Sequence, residues 1–188
     1  MNNSLATIEA GLQKLGRAEL LQRFRPGLPN DEVPQRLQAA GLEADGALAD
    51  LYGWHDGTEL AGVQKSGSVH LMPGFYFPPL EHSLTDHAAF VQDPRWHQSW
   101  LPLLADGGGD FYFVDQAGGG QVRRYRFDES EYPVEYASVS DMVHTLAAAY
   151  ERDVFFVDEQ GYLEMDDDAF AEVAAELNPS VPWWTDPV

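Results

Sequence analysis

Leu5, Ile8, Leu12 and Leu15 recur at spacings of three and four, and Leu20, Leu21 and Phe24 resume the stripe. That period puts one apolar face on a helix, so the pattern predicts a single opening helix with Ser4 as N-cap, stopped by Pro26 and Pro29. A second helix is predicted from Asn30 or Asp31 to about Ala40, where Pro34 falls in the tolerant first turn. A shorter helical piece carries Leu48, Leu51 and Tyr52 and ends at Gly53. From Val69 to Phe77 the residues turn β-branched, aromatic and apolar, which predicts a strand bent at Pro73-Gly74. Ser83 to Asp86 has capping-box-like spacing for a short helix bearing Leu84, Ala88 and Val91, closed by Asp93-Pro94.

The second half alternates faster. Trp100–Leu104 and Phe111–Val114 are strand candidates joined by Asp106-Gly107-Gly108-Gly109-Asp110. After a turn at Asp115–Gly120 come strands at Gln121–Phe127 and Val134–Ala137, then a helix capped from Ser138 or Ser140 with Val143, Leu146, Ala147 and Tyr150 on its buried face. Val154–Val157 and Tyr162–Met165 flank Asp158-Glu159-Gln160-Gly161 as a hairpin. A terminal helix carries Phe170, Val173, Ala174 and Leu177 and ends at Asn178-Pro179. The tail from Ser180 to Val188, with Pro182, Trp183, Trp184 and Pro187, is predicted to be extended and to fold back on the body. Strands in the middle and helices at both ends predict an α+β fold: a mostly antiparallel central sheet with helices packed on one face.

Composition narrows the class. At 188 residues the chain suits one domain, and 44% hydrophobic residues suffice to bury a core. The absence of cysteine excludes disulfide scaffolds, thiolate catalysis and cysteine-held metals. Thirty-one acids against eleven Lys and Arg give a formal charge of −20, which disfavours nucleic acid and anionic lipid and favours a basic partner. Met1 to Ala10 lack the basic and apolar regions of a secretory signal, and no apolar run approaches the roughly 18 residues that span a bilayer, so a cytoplasmic location is expected.

Catalytic signatures are sparse. Lys14 and Lys65 both follow glutamine, so neither belongs to a phosphate-cradling Gly-Lys-Ser/Thr loop. The glycine triplets at 107–109 and 118–120 lack dinucleotide spacing and are expected to be turns. No serine sits in a Gly-x-Ser-x-Gly elbow. His82 and His87 are five apart, wrong for a zinc helix, and are expected at the surface. His55 and His97, each beside a tryptophan, are expected at the edge of the core, and Trp54, Trp96 and Trp100 within it. Asp166, Asp167 and Asp168 suit a helix start. No metal or cofactor is expected.

Three segments resemble the Smi/Knr-like group of the SUKH superfamily. The first is Leu48-Ala49-Asp50-Leu51-Tyr52-Gly53-Trp54-His55-Asp56-Gly57, similar to the family's leucine-rich helix closing in tyrosine, tryptophan and an Asp-Gly turn. The second is Trp100-Leu101-Pro102-Leu103-Leu104-Ala105 with the turn Asp106, Gly107, Gly108, Gly109 and Asp110, followed by the strand Phe111–Val114. The third is Val122–Phe127, an acidic segment, and the helix ending at Tyr150. The resemblance covers about 28–150; Pro133-Val134-Glu135-Tyr136 departs from it, and residues 151–188 look like the C-terminal extension of longer members, within one domain over 1–188.

The resemblance implies a SUKH-like α+β fold and, in bacteria, a non-enzymatic immunity protein that occludes a cognate toxin, often a nuclease. Fungal members of the group imply instead a regulatory scaffold of cell-wall signalling. It carries no catalytic residues. Trp100, Pro102 and the Asp106–Asp110 turn are then fold determinants. Interface candidates are Trp54, Asp56 and Glu59 after the second helical segment, and Asp128, Glu129, Glu131 and Tyr132. The expected partner is a basic protein domain, with the chain itself a monomer or weak homodimer. A third reading is a metal-assisted hydrolase built on Asp106, Asp110 and Asp166 to Asp168.

Overall fold

The opening stripe breaks into two helices in the computed structural model, which describes residues 1–186. Helix α1 (Asn2–Lys14) buries Leu5, Ile8 and Leu12. It stops because Gly16 takes a φ of +69°; its N–H donates to the Gln13 carbonyl and the Arg17 N–H to that of Leu12, the paired bonds of a left-handed helix terminator. Leu20 resumes the stripe on a separate helix, α2 (Ala18–Arg23). Phe24–Pro26 is then a strand, β1, rather than the end of the predicted helix. Ser4 lies inside α1, whose N-cap position is Met1.

Helices α3 (Glu32–Ala39) and α4 (Gly46–Trp54) match the pattern, the latter capped by Asp45, whose Oδ1 accepts from the Ala47 and Leu48 N–H groups. Strand β2 (His55–Thr58) follows and pairs antiparallel with β1. The strand expected over Val69–Phe77 is mostly irregular: Ser66–Val69 is a 3-10 turn, the chain reverses at Pro73-Gly74 with Met72 bridging to Phe75, and Tyr76 makes a single bridge to Ala105. Pro73 has no N–H to donate, so a ladder cannot run through it.

Helix α5 (Leu80–Phe90) starts before the predicted capping box. Its first N–H, from Leu80, donates to Oδ1 of Asp56, 24 residues earlier in the chain, while Ser83 is buried and shares a hydrogen bond with the Tyr52 hydroxyl at 3.1 Å. Gly57 permits this approach of β2: at φ +71° a Cβ there would lie 2.2 Å from the Pro79 nitrogen.

The central sheet is antiparallel, in the order β3 (Trp100–Ala105), β4 (Phe111–Asp115), β5 (Gln121–Tyr125), β6 (Val134–Tyr136). Pro102 sits on the edge strand, beside a register shift, where a missing donor is tolerated. Along β4 the side chains alternate, as the pleat requires: Tyr112 and Val114 join the large core, Phe111 and Phe113 a second, smaller one. Helix α6 (Val139–Glu151) lies in the large core against α1, capped by Ser138, whose Oγ accepts from the Asp141 N–H. Gly11 allows that packing, since a Cβ there would come within 2.6 Å of Tyr150 Cβ.

Residues 151–186 join the large core. Phe155 of β7 (Phe155–Val157), Leu163 of β8 (Leu163–Met165) and Phe170, Val173 and Ala174 of α7 (Asp167–Leu177) are buried in it. Asp166 caps α7 through the Ala169 N–H, the role its position suggests. The tail does fold back, but Pro182–Thr185 forms one helical turn, α8, where an extended segment is expected; proline at its first position suits a helix start. The Trp184 indole N–H donates to the Glu135 carbonyl. Pro187 and Val188 lie outside the described residues. The fold is α+β about a central antiparallel sheet, and among the described residues no helix is long and apolar enough to cross a membrane.

Candidate functional site

The first group of interface candidates does not form a surface patch. Asp56 is 2% exposed; besides capping α5 it pairs with Arg25 at 3.2 Å, so its carboxylate is buried and engaged in holding the fold. Trp54 is half-buried, its ring 5.1 Å from that of Phe24 and 4.4 Å from that of His55. Glu59 is exposed, though its Oε1 accepts from the Ala61 N–H.

The second group is brought together. Asp128, Glu129 and Glu131 are exposed on the loop from β5 to β6, while Tyr132 turns inward, stacked on Tyr125 at 4.9 Å and edge-on to Trp100. The turn before β4 is built as expected: Oδ1 of Asp106 accepts from the N–H groups of Gly108, Gly109 and Asp110 at 2.6 to 3.0 Å, with Gly107 and Gly109 at positive φ. Asp110 then ties this turn to the loop, accepting from Arg126 and from the Phe127 N–H, each at 3.1 Å. Trp100 is half-buried; the tryptophan that fills the small core is Trp96, within 5.5 Å of the rings of Phe90, Trp100, Phe113 and Tyr125. His87 is 6% exposed, its Nδ1 2.9 Å from the Trp100 carbonyl, and not at the surface.

Two clefts flank the loop. The first, of about 250 Å³, is walled by Phe90, Trp96, Phe111, Tyr125 and Phe127, with the Gly108-Gly109 backbone alongside. Phe127 is 65% exposed. At the mouth Asp93 accepts from the Arg95 guanidinium through both oxygens, which holds the Asp93 carboxyl below its ordinary range. The guanidinium lies over the Phe127 ring, 5.2 Å from its centroid, and donates to the Phe127 carbonyl at 3.2 Å.

The second cleft, of about 420 Å³, is lined by Arg124, Glu129, Glu131, Tyr132, Pro133 and Trp183. Arg124 lies 4.9 Å over the Trp183 ring, which is 40% exposed, and reaches Glu129 at 3.8 Å and Glu135 at 3.3 Å. Glu135 is 1% exposed; burial raises its pKa, against the opposing pull of Arg124 and of the Tyr112 hydroxyl that donates to it at 2.9 Å.

Each of the eleven Lys and Arg side chains is already engaged. Nine pair with carboxylates, among them Arg25, Arg95, Arg123, Arg124, Arg126 and Arg152. Arg17 donates to the carbonyls of Gly67 and Gly161, and Lys65 to that of Gln160. Asp128 and Glu131 take part in no ion pair among the described residues. The field left over for solvent is anionic.

The carboxylates considered for a hydrolase are scattered in role: Asp106 holds a turn, Asp110 binds Arg126, Asp166 caps α7. Among the described residues no three His, Asp or Glu are gathered as a metal site. Sequence reasoning missed Phe90, Asp93, Arg95 and Phe127. The available signal was local: Asp93-Pro94-Arg95-Trp96 places opposite charges beside a tryptophan, and Phe127 is an apolar residue abutting an acidic run.

No protein-family model matches the chain, and none of the curated proteins matches it.

Proposed function

We propose that this protein is a binding module without catalysis of its own, which occludes a basic protein partner in the manner of an immunity protein against a nuclease-type toxin. The observation that carries the reading is the commitment of every basic side chain inside the chain, which leaves the carboxylates of a −20 molecule as its outward charge. A basic surface meets no repulsion here, and long-range attraction accelerates encounter. The loop with Asp128, Glu129 and Glu131 presents these charges between two clefts that expose Phe127 and Trp183, the kind of aromatic group on which interface affinity concentrates. The accessible surface is 9147 Å², so a standard interface of roughly 800 Å² per partner occupies under about a tenth of it. The resemblance of the Leu48–Gly57 and Trp100–Val114 segments to the Smi/Knr-like group adds the immunity role.

The test uses the purified chain and the protein encoded beside its gene. A stoichiometric complex that silences that protein's toxicity, with an association rate that drops steeply from low to molar salt, supports the reading. A salt-independent association rate removes electrostatic steering from it, and the absence of any complex with basic proteins overturns it.

A further inference from the structure

We propose that the aromatic cleft beside Phe127 is a socket for one aromatic side chain presented by the basic partner; this deepens, and rests on, the binding reading above. At about 250 Å³ the cleft is below the roughly 300–1,000 Å³ of small-molecule sites and suits a single large side chain. Its walls are rings set at steep mutual angles, 52° for Phe90 and Trp96 and 65° for both Phe90 with Phe111 and Trp96 with Tyr125. A ring that enters meets both faces and edges, the arrangements aromatic pairs prefer.

The mouth selects further. Arg95 is fixed there by Asp93 and Phe127, and its planar cation attracts a second π-system while it repels an entering lysine or arginine. Phe127 is a held wall although its ring is exposed: its N–H donates to Asp110 and its carbonyl accepts from Arg95. Around the socket, among the described residues, Asp128 takes part in no ion pair and each nearby arginine is already engaged, so the residues flanking the partner's ring are basic. Charge complementarity therefore names the partner surface, and the ring cluster names its anchor.

The test displays lysine-flanked random peptides, with three variable positions between lysine pairs, to the full chain and to F127A. Phe127 is mostly exposed, so F127A keeps the fold, which thermal melting verifies. Enriched peptides that each carry one Trp, Phe or Tyr, and that bind F127A about tenfold more weakly while D166N binds them as the parent does, support the socket. Basic peptides with no aromatic preference, or with Leu or Ile in its place, and equal binding to F127A, overturn the socket and leave the electrostatic reading intact. Saturation of the cleft by N-acetyl-tryptophanamide with no gain from flanking lysines overturns the assignment to a protein partner. Failure to enrich basic peptides at all overturns both.

Discussion

The two faces of the central sheet are built from different materials. One face contributes Tyr112, Val114, Val122 and Tyr136 to a core closed over by α1 and α6 and extended by β7, β8 and α7. The other contributes Phe111, Phe113 and Tyr125 to a small cluster around Trp96, covered by Tyr76, by Phe90 at the end of α5 with the α5–β3 connection, and by the Tyr132 loop, with a cleft left beside it. An aliphatic core gains by closing completely; an aromatic cluster keeps favourable ring contacts with one side open. The comparison teaches that a single alternating strand, β4, closes one core with one set of side chains and walls an open aromatic cleft with the other.

Substitutions can break or sharpen that division. F77A, in the closed core, is expected to cost about 4 kcal/mol, because a fully buried ring, 5.0 Å from that of Tyr52, leaves a cavity its neighbours cannot fill. W96A is expected to cost less, about 3 kcal/mol, since its void adjoins the open cleft; equal losses in denaturant melts refute the distinction. D56A is expected to cost about 2 kcal/mol, through the lost cap of α5 and the loss of one of the two carboxylates that hold Arg25, Glu81 being the other, and to leave the association rate with a basic peptide unchanged.

The closed side also carries the acid sensitivity. Burial and the nearby Arg17 push His70 down to about 4. The folded chain thus resists a proton that the unfolded chain takes up below its ordinary pKa of about 6.5, so stability falls as pH drops from about 6.5 to 4, by at most about 3 kcal/mol. Glu135 acts in the opposite sense, its raised pKa returning some stability as pH falls through it. In H70Q the slope over that window is expected to be shallower, which urea titrations at several pH values measure. The smallest effect is expected for F127A, within about 0.5 kcal/mol of the parent in stability, against its tenfold effect on peptide binding.

Local physics made much of this legible. The Asp106–Asp110 turn, the β4 strand, the Ser138 and Asp166 caps and the β7–β8 hairpin each depend on residues adjacent in the chain, and all were in the pattern; the division of β4 between two cores was not. Long-range substitutions were not. The cap of α5 comes from Asp56, so the plausible local box at Ser83–Asp86 misled, and Asp56 looked available for a partner. Gly16 ended a helix whose apolar period continued past it. The acidic loop was found from composition, but its neighbours Phe90, Arg95 and Phe127 meet only when α5, the turn and β5 converge.

The internal engagement of all eleven basic side chains gives ionic strength two opposed effects. Carboxylates without counter-charges repel one another across the native surface, and dissolved cations relieve that strain, so the melting temperature should climb with added salt. On the proposed reading the same ions would weaken the grip on a cationic protein, so the conditions that make this molecule most robust would be those in which it holds such a partner least.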